Sequence, residues 1–217
     1  MNQFRFTRPD NFPPVIKNLL LINGLFFLAT EFVLRDKFSI EGLEMLGLKG
    51  TLGLWPINDP NFKPYQLFTH MFTHANLSHI FFNMFNLWMF GRILENVWGA
   101  KKFLAFYFIC GLAAAAAHLA VQYFTGGYSF AVGASGAVMG VMVAFAYTFP
   151  NTKLMFIFLP VPIKAKWIIM GMIAFDLFGG LGYTGGDGIA HWAHLGGAAA
   201  GFLLVYYWNK TDRQKFY

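Results

Sequence analysis

Gly133-Ala134-Ser135-Gly136-Ala137-Val138-Met139-Gly140 reads as the head of a helix that carries a serine into an apolar stretch. Polar and ionisable groups are costly in lipid, so a serine placed there is a functional hypothesis from the outset. Two further apolar stretches carry side chains of complementary chemistry. Ala193-His194-Leu195-Gly196-Gly197 opens one, and His79 with Asn83 four residues on lies in another. A nucleophile, an imidazole and two hydrogen-bond donors are thus all set in hydrophobic sequence.

Composition says where such chemistry resides. Of 217 residues, 57% are hydrophobic and only 12% charged, against about 25% charged in soluble domains. Mean hydropathy is +0.49. Twenty-seven Phe and six Trp suit bundle interiors and membrane interfaces. The net charge of +6 does not indicate nucleic acid, because the charges cluster at the ends of apolar runs rather than alternating with aromatics. Cys110 is the only cysteine, so an intrachain disulfide is excluded, and its apolar run assigns it to packing. The first apolar run continues from Val15 to about Leu34 with no small-residue cleavage site after a short core, so no processed leader is expected.

Spanning a bilayer takes about 20 apolar residues, fewer where the path is irregular and lined by protein. The sequence predicts an all-α membrane protein, a bundle of six transmembrane helices over 15–34, 79–98, 101–124, 135–149, 165–182 and 191–209. Residues 1–14 form an N-terminal flank, 15–209 the membrane domain and 210–217 a C-terminal tail. The Gly-rich approach from Gly126 to Gly133 descends into the bundle, so that the short fourth helix begins at depth. Twelve Lys and Arg (Arg5, Arg8, Lys17, Arg92, Lys101, Lys102, Lys153, Lys164, Lys166, Lys210, Arg213, Lys215) fall on one side, while Arg35, Lys37, Lys49 and Lys63 lie in the first loop. The positive-inside rule then places both termini in the cytoplasm and the active site toward the other face. The first loop, about 35–78, is too long for a simple connector. Its apolar residues (Phe38, Leu43, Leu46, Leu48, Leu54, Trp55, Phe62, Tyr65, Phe68) predict short interfacial helices.

A serine needs a base within hydrogen-bond reach, and His194 is preferred. It stands one turn before Gly197 and two before Gly201. Gly197-x-x-x-Gly201 and Gly136-x-x-x-Gly140 are matching small-residue faces that let two helices approach closely, bringing Ser135 toward His194. No carboxylate is evident as a third member, so a Ser-His dyad is expected. The Ser135 backbone N–H, orphaned at a helix start, the His79 ring and the Asn83 amide would stabilise the oxyanion. Bland readings stand beside these: glycines around Ser135 for helix packing, and His79 and Asn83 as caps or cross-links. His191 reads as an interfacial rival to His194, His118 as an interhelical contact, and Asp176 as a buried polar contact or a cavity-facing group. His70, His74, His79, His191 and His194 also raise a metal site, but no Glu accompanies a His pair at the His-Glu-x-x-His spacing of zinc proteases.

Together these residues resemble the rhomboid family of intramembrane serine proteases, in its bacterial six-helix form. The resemblance rests on His74-Ala-Asn-Leu-Ser-His79-Ile-Phe-Phe-Asn83, Gly133-Ala-Ser135-Gly136 and Ala193-His194-Leu-Gly-Gly197-x-x-x-Gly201, with Gly91, Glu95 and Gly99 continuing the second helix. It implies Ser135 as nucleophile, His194 as general base, and His79 with Asn83 as oxyanion stabilisers. It further implies cleavage of other membrane proteins without metal, cofactor or ATP, lateral substrate entry near helices two and five, and a bacterial inner-membrane location. Glu95 would be structural, with Arg92 as its nearest evident partner. Two departures are visible. The family's Trp-Arg of the first loop falls at Tyr65-Gln66, which removes an interfacial arginine, and an aromatic often found four residues after the serine is Met139 here. A non-proteolytic relative that binds transmembrane helices is the second reading. A transporter would show paired midplane charges and internal repeats, and neither is clear. The sequence does not set the oligomeric state.

Overall fold

Pro13 and Pro14 set the start of the chain's first helix. Proline suits the first helical position because its missing N–H would have no partner there. In the computed structural model, which describes residues 9–33, 47–156, 159–182 and 189–211, α1 runs Pro14–Leu28 and continues as a π-helical turn through Ala29–Val33. Of its first donors, Lys17 N–H bonds the Pro13 carbonyl at 2.9 Å. Those of Val15 and Ile16 bond the two carboxylate oxygens of Glu95 at 2.9 and 2.8 Å. Glu95 is therefore a cap supplied by another helix: it satisfies two orphan N–H groups and lies at the positive end of the α1 dipole. The expected Arg92 partner does not hold. Arg92 instead bonds Asn11 Oδ1 at 2.9 Å and lies over the Trp88 ring.

Two short helices, α2 (Gly47–Leu52) and α3 (Gln66–Thr69), fall in the first loop. The second long helical rod is α4 (Leu77–Asn86), a π-helical turn (Leu87–Gly91) and α5 (Arg92–Trp98). It is followed by α6 (Ala100–Thr125), α7 (Ser135–Thr148), α8 (Ala165–Gly180) and α9 (His191–Thr211). Among the described residues, six helical segments overlap the apolar runs read from the sequence. Two, Pro14–Phe32 and Ala100–Thr125, are by length and composition alone apolar enough to cross a membrane. The expectations for Arg5, Arg8, Arg35, Lys37, Phe38, Leu43, Leu46, Arg213 and Lys215 lie outside the described residues.

The all-α expectation needs one correction. Between α7 and α8 an antiparallel hairpin pairs β1 (Lys153–Phe156) with β2 (Leu159–Lys164), Lys153 opposite Lys164 and Leu154 opposite Ile163. Its strands carry Val161 and Ile163, side chains that favour extended backbone. Pro160 and Pro162 are tolerated because a two-stranded ribbon has only edge strands.

The core is built around α7, which is buried continuously from Gly136 to Ala146 and packs against α6 and α9. Glycines make that depth possible. A Cβ on Gly197 would run into the Gly136 carbonyl, and one on Gly201 would lie 2.6 Å from the Gly140 oxygen. The two glycine faces read from the sequence do meet, backbone to backbone. Phe90 and Phe145, with ring centroids 4.9 Å apart, close the same core on the side of the second rod.

Candidate active site

Ser135 is the first residue of α7, where the backbone N–H lies outside the helical ladder. Its approach is held from two sides. Leu54 and Ala131 exchange backbone hydrogen bonds of 2.8 and 3.0 Å, and the Gly133 N–H bonds the His70 carbonyl at 2.8 Å. Gly133 has φ +120°, and a Cβ there would lie 2.7 Å from the His79 ring. Only glycine gives both that backbone conformation and that clearance.

His194, in the first turn of α9, reaches across to the serine. Its Nε2 lies 2.8 Å from Ser135 Oγ, the contact that the paired glycine faces predict. On the opposite side of the imidazole, Nδ1 lies 2.8 Å from Asp176 Oδ1. His191 Nδ1 reaches the same oxygen at 2.8 Å. Two expectations change. A carboxylate does stand behind the imidazole, so the geometry is that of three linked groups rather than a pair. His191 is not an interfacial residue but 5% exposed and bound to the carboxylate. Asp176 is, as expected, buried and at the cavity wall. The sequence held a signal for this: His191 and His194 are three apart and share a helix face, and an aspartate in an apolar helix needs a partner.

His79 and Asn83 face the serine from α4. Asn76 caps that helix, its side-chain oxygen accepting from the His79 N–H at 2.9 Å, which fixes His79 in the first turn. The Ala75 N–H donates to His79 Nδ1 at 3.4 Å. Nε2 is left as the protonated, donating nitrogen, on the side of Gly133. Asn83 Nδ2 bonds the His79 carbonyl at 3.0 Å, with a second amide hydrogen to spare.

Ser135, His194, His79, Asn83 and Asp176 line one cavity of about 1040 Å³, whose walls are α4 on one side and α8 on the other. Met139 lies in its floor, 4% exposed. A second cavity of about 20 Å³ lies behind Ser135, between His70, His118 and Ala193, and has room for about one water. At Tyr65-Gln66 the loop is pinned from inside by the glutamine. Gln66 is buried, donates to the carbonyls of Thr51 and Asn61 at 3.2 and 2.9 Å, and accepts from Lys63 N–H at 3.2 Å. Tyr128 Oη donates to Asp59 at 2.6 Å and ties the same loop to the approach of the serine. Burial pushes the imidazole of His70 down to about 4 and that of His74 to about 3, so both first-loop histidines are neutral at pH 7.

Residues 61–210 match the family model described as the Rhomboid domain. The chain belongs to the rhomboid family. Among curated proteins it is 35% identical over 137 residues to the presenilin-associated rhomboid-like protein, mitochondrial, of Homo sapiens, covering 63% of this chain and 36% of that one. It is 32% identical over 148 residues to Rhomboid protein 1, mitochondrial, of Saccharomyces cerevisiae, covering 64% and 40%. To Rhomboid-like protein 11, chloroplastic, of Arabidopsis thaliana it is 30% identical over 201 residues, covering 88% and 64%. The match thus spans little more than a third of the mitochondrial relatives' length. These relatives are organellar, which overturns the expectation of a bacterial inner membrane.

Proposed function

We propose that this rhomboid is a serine endopeptidase that hydrolyses peptide bonds in or near transmembrane segments of other membrane proteins, with its six long helical segments spanning the bilayer. The observation that carries the reading is the 2.8 Å contact between Ser135 Oγ and His194 Nε2 across the α7–α9 groove. As Oγ bonds to the scissile carbonyl carbon, its proton passes to Nε2 and the carbonyl oxygen becomes an oxyanion. The Ser135 N–H, His79 Nε2–H and Asn83 amide are the donors for that charge. Collapse breaks the C–N bond, the leaving nitrogen takes the proton from Nε2, and water then hydrolyses the ester by the same route. The chemistry calls for no metal or cofactor.

A helical substrate keeps its carbonyls hydrogen-bonded, so the segment must unwind locally before it is cut. The cavity between α4 and α8 gives a side path for it. The test is cleavage of transmembrane substrates by the full chain in vesicles, comparing the parent with Ser135→Ala and His194→Ala. Loss of cleavage in both variants, by at least about 10³-fold, supports the reading. Equal cleavage by parent and Ser135→Ala contradicts it. Retained helix binding with no cleavage by the parent identifies the non-proteolytic alternative.

A further inference from the structure

The geometry points to Asp176 as a positioning residue: it sets the tautomer and the ring orientation of His194, and it ties the base to the seating of α8. This deepens the protease reading and rests on it. The buried residues of α8 are Ala165, Ile169 and Asp176. They are 4 and 7 residues apart and so lie on one helical stripe. Asp176 is the polar member of that stripe, 3% exposed, and a carboxylate so placed must find hydrogen-bond donors.

It finds two on one oxygen. An ionised carboxylate only accepts, so the nitrogens that face Oδ1, His191 Nδ1 and His194 Nδ1, both carry hydrogen. His194 Nε2 is then the unprotonated nitrogen, and it is the one facing Ser135 Oγ. That is the tautomer a general base requires, and the bond made by the other ring nitrogen selects it. When the imidazole takes the serine proton, the carboxylate faces the new positive charge and keeps no proton of its own.

The dock around this contact joins α8 to α9. A Cβ on Gly179 would collide with the His191 ring. Trp192 Nε1 donates to the Gly180 carbonyl at 3.1 Å, and Phe175 meets the His191 ring edge-on with centroids 5.7 Å apart. The last two turns of α8, from Phe175 to Gly180, thus fit the first turn of α9, and the catalytic imidazole is held from the helix that forms one wall of the substrate cavity. A displacement of α8 withdraws the carboxylate from the base.

Steady-state cleavage by the reconstituted full chain, paired with ¹⁵N NMR of its imidazoles, tests this. Asp176→Ala is expected to lower kcat at least about 100-fold with KM within threefold of the parent. Asp176→Asn, which fills the same volume, is expected to keep the parent's thermal unfolding temperature while also losing kcat. The His194 resonances, assigned by their loss in His194→Ala, should show Nδ1–H in the parent and a shift to Nε2–H in Asp176→Ala, which a packing role alone would not produce. A kcat within threefold of the parent in both Asp176 variants, or an unchanged tautomer, overturns the assignment. Should Asp176→Ala fail to fold, parental kcat in Asp176→Asn overturns it alone. A parent no more active than Ser135→Ala defeats the protease reading instead, and the tautomer still decides the Asp176 bond.

Discussion

Helices α7 and α8 are similar in length and apolarity but differ in how they are held. The first has 14 residues, and eleven of them, Gly136 to Ala146, are buried. The second has 16 residues, of which three are buried, and its Trp167, Met170, Phe175 and Phe178 are exposed. The serine sits on the fixed helix and the carboxylate on the lightly held one. The imidazole between them belongs to α9, which packs on both. Packing is therefore densest around the helix that carries the proposed nucleophile, and sparse on the helix that walls the proposed substrate cavity. The difference arises from side-chain size. Small residues at Gly136, Gly140, Gly197 and Gly201 allow backbone contact on one side of α9, whereas the other side meets α8 mainly through polar contacts at one end.

The sharpest way to break this contrast is to force the fixed pair apart. Gly197→Ala places a methyl against the Gly136 carbonyl, and neither backbone can yield without moving its helix. A loss of roughly 3 kcal/mol or more in unfolding experiments is expected; a variant with parental stability would show that the groove is not tightly packed. Next in size is the donor that faces α7 from α4. His79→Ala should raise the barrier by about 2.7–4 kcal/mol, as typical for loss of one oxyanion donor, with little change in unfolding temperature. A fall in substrate affinity at constant kcat would instead make His79 a binding group. The smallest effect is expected on the lightly held helix. Met170 is 56% exposed, and Met170→Ala should alter stability by no more than about 0.5 kcal/mol; a larger loss would mean that α8 is anchored along its length.

The parts of the site that the sequence made legible were those encoded locally. Gly133 to Gly140 joins a serine to a small-residue face, and His194 precedes a second such face by one turn, so the pairing of two matching faces brings them together. His79 and Asn83 are likewise one turn apart behind the Asn76 cap. Long-range partners were harder to read. Glu95 was paired with Arg92 because that residue is its neighbour on the helix, whereas its carboxylate spans to α1 and is recognisable only through the Pro13-Pro14 start and its unfilled donors. Asp176 and His191 are 15 residues apart, on different helices, and periodicity says nothing about how two helices turn toward each other. The hairpin is hard to read from sequence because Pro160 and Pro162 interrupt the strand signal of Leu159–Lys164, though edge strands accept them.

On the proposed function, His194 makes Ser135 nucleophilic across the 2.8 Å contact between them. A fluorophosphonate probe applied to the full chain in mild detergent, followed by peptide mass spectrometry, tests it most directly. A single phosphonyl adduct on Ser135 is expected, absent from Ser135→Ala and slowed at least about 100-fold in His194→Ala. An adduct on another residue, or labelling of Ser135 at the parental rate without His194, would contradict it.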